Sequence, residues 1–317
     1  MSGESTALAT PALEEPELAV PRAPESATGE KRQLISWPAL TAVLIWSGTA
    51  PVAKYALEEF PVLAYTVLRP IIASTILFTL LIVRRQRVLL PRSDLWRIAL
   101  VGVFGLGMSQ LTYLGSLDRT SVAHVVILAS ISPLLVAVYR LAVSRKRLPP
   151  RSLLGMLGGF AGVIVLVIGA SGSGDTSLLG DALALCSAIA WMGVTIWPIE
   201  IFARQGTMRT MAWMFASSLM LTLPISATTL VRTMGDMPSI AAWAGLLYSA
   251  IFGALIGNSL WQRSVQKLGS SATLIYLYLQ PVGAMILAAL FLGERLNATQ
   301  AVGGVLALVG VALVRKD

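Results

Sequence analysis

The segment ISPLLVAVYRLAVSRKRL, residues 131–148, returns 148 positions later as LQPVGAMILAALFLGERL, residues 279–296. Each copy carries a proline at its third position and closes on charged residues beside a leucine. Working outward at the same offset, Phe104 meets Phe252, Gly105 meets Gly253 and Gln110 meets Asn258, while Gly155 meets Gly303 and Gly162 meets Gly310. Near the start of each half, IWSG (45–48) matches AWMG (190–193) at an offset of 145. One matching proline or glycine means little. Agreement in order and register makes the chain two copies of one unit.

Composition says what the unit is. The 317 residues are 56% hydrophobic and 13% charged, against about 25% charged in a soluble domain, and mean hydropathy is +0.75. Charge-free runs cover 33–53, 98–117, 120–139, 152–174, 182–199, 210–231, 237–262, 268–293 and 296–314, and a tenth, 60–83, is broken only by Arg69. A helix needs about 20 apolar residues to cross the hydrocarbon core. The expected fold is therefore all-α: a polytopic membrane protein of ten transmembrane helices. Five helices per copy is an odd number, so the second copy enters the membrane upside down. The repeats are placed at 34–170 and 171–317. Inverted repeats are the architecture of alternating-access transporters, whose site lies near the midplane between the halves.

Lys and Arg sort by side. With the N-terminus inside, nineteen fall on inner segments and only Lys54, Arg119, Arg232 and Arg295 on outer loops, Arg69 being the last of the 24. The positive-inside rule puts both termini in the cytoplasm, and it accounts for a pI near 10 without a nucleic-acid partner. Residues 1–33 carry six acids and three bases among Pro, Ser and Ala, with no apolar core. They read as a disordered cytoplasmic tail, not a signal peptide. One cysteine, Cys186, excludes an intrachain disulfide, and with a single histidine, His124, no Cys/His metal site is expected. The absence of a Walker loop or a nucleophile motif argues against a cofactor and against an enzyme. An enzyme acting on lipid would need an acid/base pair at an interface. A receptor or scaffold would have no use for an inverted repeat.

Four stretches carry a family resemblance: IWSGTAPVAKYAL (45–57), VLRPIIAS (67–74), ASISPLL (129–135) and YLQPVGAMILAALFLGERL (278–296). On these the chain resembles the EamA-type, two-repeat members of the drug/metabolite transporter superfamily, over residues 37 to 315. It departs from the pattern where the first repeat has SRKRL in place of the more typical LGERL. The resemblance implies a carrier of a bacterial-type inner membrane, often an exporter, of small metabolites, amino acids or drug-like compounds. It also implies that helices 1, 3, 4, 6, 8 and 9 line the cavity. Uptake and facilitated passage stay open as alternatives, and the resemblance names no substrate or oligomeric state.

Arg69 is the candidate that matters most. A charge at a helix centre costs about 2.5–3.5 kcal/mol on insertion scales and must face protein or water. Pro70 beside it frees the carbonyl of Thr66. Either the guanidinium binds a carboxylate or phosphate of the substrate, or neighbouring carbonyls and polar side chains satisfy it at a kink. Amides and hydroxyls in spans also point inward: Gln110 and Tyr113 in helix 3, Asn258 and Gln262 in helix 8, Tyr276 and Gln280 in helix 9. Each is a candidate for substrate contact or for interhelical bonding. Trp46 and Trp191 correspond between repeats and suggest an aromatic wall. Pro70, Pro133 and Pro281 are hinge candidates. The spacings Gly155-x-x-x-Gly159, Gly158-x-x-x-Gly162 and Gly253-x-x-x-Gly257 read as close helix packing. If protons couple to transport, His124 is the first suspect and Asp181 the second.

Overall fold

The computed structural model describes residues 36–120, 122–144, 149–170, 177–235, 237–292 and 297–314. The tail expected at 1–33 lies outside them. Among the described residues the chain is helical, without strands. The helices are α1 (Trp37–Ala56), α2 (Val62–Val83), α3 (Arg92–Arg119), α4 in two parts (Val122–Ala129 and Ser132–Ser144), α5 (Pro150–Ala170), and α6 (Leu178–Ile196) with a short extension (Ile199–Gln205). They continue as α7 (Thr207–Gly235), α8 (Ile240–Leu268), α9 (270–292) and α10 (Ala298–Val314).

Seven of these stretches, in α2 to α8, are apolar and at least 18 residues long, enough to cross a membrane, and α10 is a shorter apolar helix. The protein is a polytopic membrane protein. Large apolar side chains face outward, as lipid requires and water would not: Ile82 is 64% exposed, Ile168 63% and Val305 58%.

Local chemistry sets the helix ends. Ser36, Ser177 and Ser239 cap α1, α6 and α8, each accepting from the backbone N–H three residues on. Gly206 and Gly269, both at φ +81, end the α6 extension and α8 in a conformation that side chains with a Cβ resist.

Helix irregularities that the sequence did not reveal fall at related positions. The α3 segment Val101–Gly107 and the α8 segment Ser249–Gly257 are both π-helical and begin 148 residues apart. Each widened turn ends near the polar residue singled out in that helix, Gln110 or Asn258. Helix α4 breaks at Ser130–Ile131 just before Pro133, and α9 tightens to 3-10 at Ile275–Tyr278 just before Pro281. Pro70, in contrast, sits inside an unbroken α2, as Pro51 and Pro224 do in α1 and α7.

The most extensive helix pairing joins α5 to α10. Gly155, Gly162, Gly303 and Gly310 bring the backbones together, and a Cβ on any of them would press on backbone atoms of the facing helix. Gly158 is the exception to the reading of the glycine spacings, with nothing within 4 Å of its Cβ position. It lies a quarter-turn off the seam that Gly155, Gly159 and Gly162 form.

Polar contacts tie the two ends of the bundle. At the end where α1 stops and α2 starts, Ser239 donates to Glu59 from its N–H and its hydroxyl, both at 2.6 Å, which holds that carboxyl below its ordinary range. Lys54 reaches the Leu117 carbonyl at the same end. At the opposite end, buried Asp94 accepts from Arg204 at 2.7 Å and Gln205 at 2.8 Å, joining α3 to the α6 extension.

Candidate functional site

A cavity of about 120 Å³ lies in the middle of the bundle, room for on the order of ten waters. Residues from α1, α2, α3, α4, α6, α8 and α9 line it. Relative to the six helices implied by resemblance, α2 is the addition, and it contributes Arg69.

The floor is aromatic. Trp46 and Trp191 meet edge to face at 5.4 Å, and Trp261 lies beneath them, 5.2 Å from Trp46. Such pairs are each worth about 0.5–1.5 kcal/mol beyond their burial. Below the indoles the interior is solid, filled by Ala42, Val43, Val136, Val265 and Leu274. A chain of hydroxyls continues through that layer: Ser36 contacts Ser264 at 2.8 Å, Ser264 contacts Thr273 at 3.3 Å, and the Ser36 N–H donates to Tyr276. The cavity is thus shut at the end where α1 begins.

Arg69 forms part of the wall at 7% exposure. Its Nη1 donates to Gln110 Oε1 at 2.5 Å, and its Nη2 stands 3.5 Å from the Ser249 carbonyl. The guanidinium carbon sits 5.9 Å from the Tyr65 ring centroid. Its Nε is buried without a hydrogen-bond partner. Among the described residues no carboxylate pairs with it, and no acidic side chain lines the cavity. Space beside Arg69 is kept by Gly253, where a Cβ would come within 3.2 Å of Thr49 Oγ1 and 3.7 Å of Arg69 Nη2.

The π-helical turn in α8 contributes directly. Within it, the Gly253 carbonyl accepts from the Trp46 indole N–H at 2.9 Å, which fixes one plane of the floor. Asn258 donates to Ala254 at 2.8 Å, while its Oδ1 is buried without a partner. Gln110 and Asn258, 148 residues apart in the sequence, both line the cavity.

Of the residues read from the sequence, the structure brings Trp46, Arg69, Gln110, Tyr113, Trp191, Asn258 and Gln280 to the cavity and leaves two outside. Gln262 is fully buried in a helix contact, donating to the Val194 carbonyl at 3.3 Å. Tyr276 belongs to the closed layer beneath the floor. Hydroxyls of Thr49, Ser109, Ser130, Ser132 and Ser187 complete the wall and escaped the sequence reading. The serines on either side of Ile131, just ahead of Pro133, were the available signal, since a helix break beside a cavity turns short polar side chains inward.

His124 and Asp181, flagged separately in the sequence, lie together. Nδ1 of His124 is 3.1 Å from both carboxylate oxygens, and the Thr120 hydroxyl donates to Asp181 at 2.9 Å. Both side chains are partly exposed, and the contact joins the starts of α4 and α6.

With this geometry in hand, known proteins give the chain its place. A model of the EamA-like transporter family matches it twice, at residues 35–168 and 178–316. The chain belongs to the EamA-like transporter family. It is a membrane transporter of that kind and falls within the drug/metabolite transporter superfamily. Among curated relatives, the Bacillus subtilis uncharacterized transporter YdeK is 29% identical over 274 residues, 86% of this chain and 91% of that one. The Salmonella typhimurium uncharacterized inner membrane transporter YicL is 24% identical over 287 residues, 88% and 94% of the two chains. A crystal structure at 21% identity superposes with a TM-score of 0.69, covering 90% of this chain and 98% of the other, and shares the fold. Among the described residues, the central cavity of this EamA-like transporter has Arg69 as its buried cation, an aromatic floor and a wall of neutral hydrogen-bonding groups.

Proposed function

We propose that the protein is a secondary transporter that exports small metabolites bearing an acidic group across a bacterial-type inner membrane by alternating access. In this reading all ten apolar runs cross the bilayer, both termini are cytoplasmic, and the repeats at 34–170 and 171–317 are inverted. The lysine and arginine imbalance supports the orientation, and the twofold family match supports the repeats. Export is the direction the family resemblance implies. Arg69 carries the substrate reading: a guanidinium buried in a cavity wall, with no carboxylate partner among the described residues, is matched by an anionic ligand. Trp46 and Trp191 take its apolar body, and Gln110, Tyr113, Asn258 and Gln280 its neutral polar groups. Pro133 and Pro281, at the paired irregularities of α4 and α9, serve as hinges, and Pro70 helps place the Arg69 turn.

The test varies charge on one skeleton. Phenyllactate and phenylalanine should raise the melting temperature of the purified protein, whereas phenyllactamide and the cationic phenylalaninamide at equal concentration should not. Equal stabilisation by phenylalaninamide overturns the reading.

Any proton that moves with the substrate is carried in this scheme by the His124–Asp181 pair, which joins the starts of α4 and α6. His124→Ala should remove any response of transport to an imposed pH gradient. A variant that keeps the full response excludes this site.

A further inference from the structure

Arg69 keeps its charge through every step of a transport cycle. Among the described residues no carboxylate cancels it. Six acidic side chains fall among the described residues. Asp94 is engaged by Arg204, Asp118 by Arg119, Asp181 by His124 and Glu59 by Ser239. Glu58 and Glu200 are exposed, outside the cavity. The groups that touch the guanidinium are an amide oxygen, a backbone carbonyl at 3.5 Å and the face of Tyr65. Such neutral partners hold a cation in place without neutralising it, and Nε lacks even one.

While one end of the cavity is open, water can screen this charge. Alternating access requires both ends to close over it in passing. That step strips the solvent from an ion with no counter-ion, which is the costly arrangement for a buried charge. An anion seated on Arg69 converts the lone ion into a pair and lowers the barrier. The loaded carrier then reorients readily and the empty one does not.

We propose that this transporter is an obligatory anion exchanger, carrying one small carboxylate or comparable anion out for each anion it carries back. The proposal rests on the reading of Arg69 given above and adds the coupling to it. A consequence is that exchange of two monoanions moves no net charge, so its rate is insensitive to membrane voltage.

The experiment uses the full chain in proteoliposomes loaded with radiolabelled phenyllactate. The medium is chloride-free, potassium is equal on both sides, and valinomycin holds the voltage at zero. Efflux is measured into phenyllactate and into polystyrene sulfonate, an anion too large to enter the cavity. Efflux into phenyllactate should be at least tenfold faster, unchanged by a potassium-imposed voltage, and any flux left in Arg69→Gln should be equal in the two media. A wild type that is stabilised by phenyllactate yet releases it no faster into phenyllactate ends the exchange proposal and leaves the binding reading standing. A wild type neither stabilised by phenyllactate nor able to move it ends both. An Arg69→Gln protein that keeps the tenfold difference assigns exchange to another group and overturns the proposal.

Discussion

Arg69→Gln should lose the stabilisation by phenyllactate while its unliganded form melts at or above the wild-type temperature. The two halves of this result separate a ligand-binding arginine from a structural one. A structural guanidinium is held by strong bonds whose loss destabilises, by about 3–5 kcal/mol when a buried ion pair is broken. Arg69 has no such pair. Its one short bond runs to Gln110, which lines the cavity and can turn to water, and its second contact is at 3.5 Å. Glutamine removes the uncancelled charge and so relieves a cost of the unliganded fold. The carboxylate of phenyllactate loses a charge-assisted contact worth about 2–3 kcal/mol, a roughly 30- to 150-fold loss of affinity. Melting curves of both proteins with and without phenyllactate read both effects. A variant that melts several degrees lower without ligand makes Arg69 structural.

How much of this was legible in the sequence follows from how each feature is encoded. Spanning helices announce themselves because lipid demands long apolar runs, and Arg69 stands out in one because a charge there is expensive. Equivalent positions such as Gln110 and Asn258 were found by register alone, and register places both at the cavity. The π-helical turns at Val101–Gly107 and Ser249–Gly257 were not read, because their glycines serve equally as close helix packing, the meaning given to Gly253 and Gly257. Yet the turn in α8 holds the Gly253 carbonyl that accepts from Trp46 and so anchors the floor. Gln262 and Tyr276 show the opposite failure. A polar side chain in a span must point inward, but inward includes helix contacts as well as cavities, and sequence spacing does not distinguish them. His124 and Asp181 were each suspected on chemistry; that they touch depends on how α4 meets α6, which no local pattern carries.

Alanine at Gly303 or Gly162 should destabilise the protein, whereas alanine at Gly158 should not. All three positions lie in helices, where replacing glycine by alanine favours the helix by about 0.5–1 kcal/mol. At Gly158 nothing lies within 4 Å of the new methyl, so that gain stands. At Gly303 the methyl would fall on the backbone of Leu166, and at Gly162 on the backbone of Leu306 and Ala307. A side chain can swing aside; a packed backbone yields only if α5 and α10 move apart. Overpacking of this kind costs about 1–3 kcal/mol and more where the backbone must shift. In lipid no hydrophobic effect restores the lost contact, because association there depends on close van der Waals fit. The separation would also loosen the layer of Met156, Val163, Tyr278 and Val311 that the two helices enclose with α9. Thermal unfolding of the three variants in one detergent decides it: Gly303→Ala and Gly162→Ala below wild type, Gly158→Ala at or above it. If all three shift alike, the α5–α10 seam is not the close backbone contact that the paired glycines require.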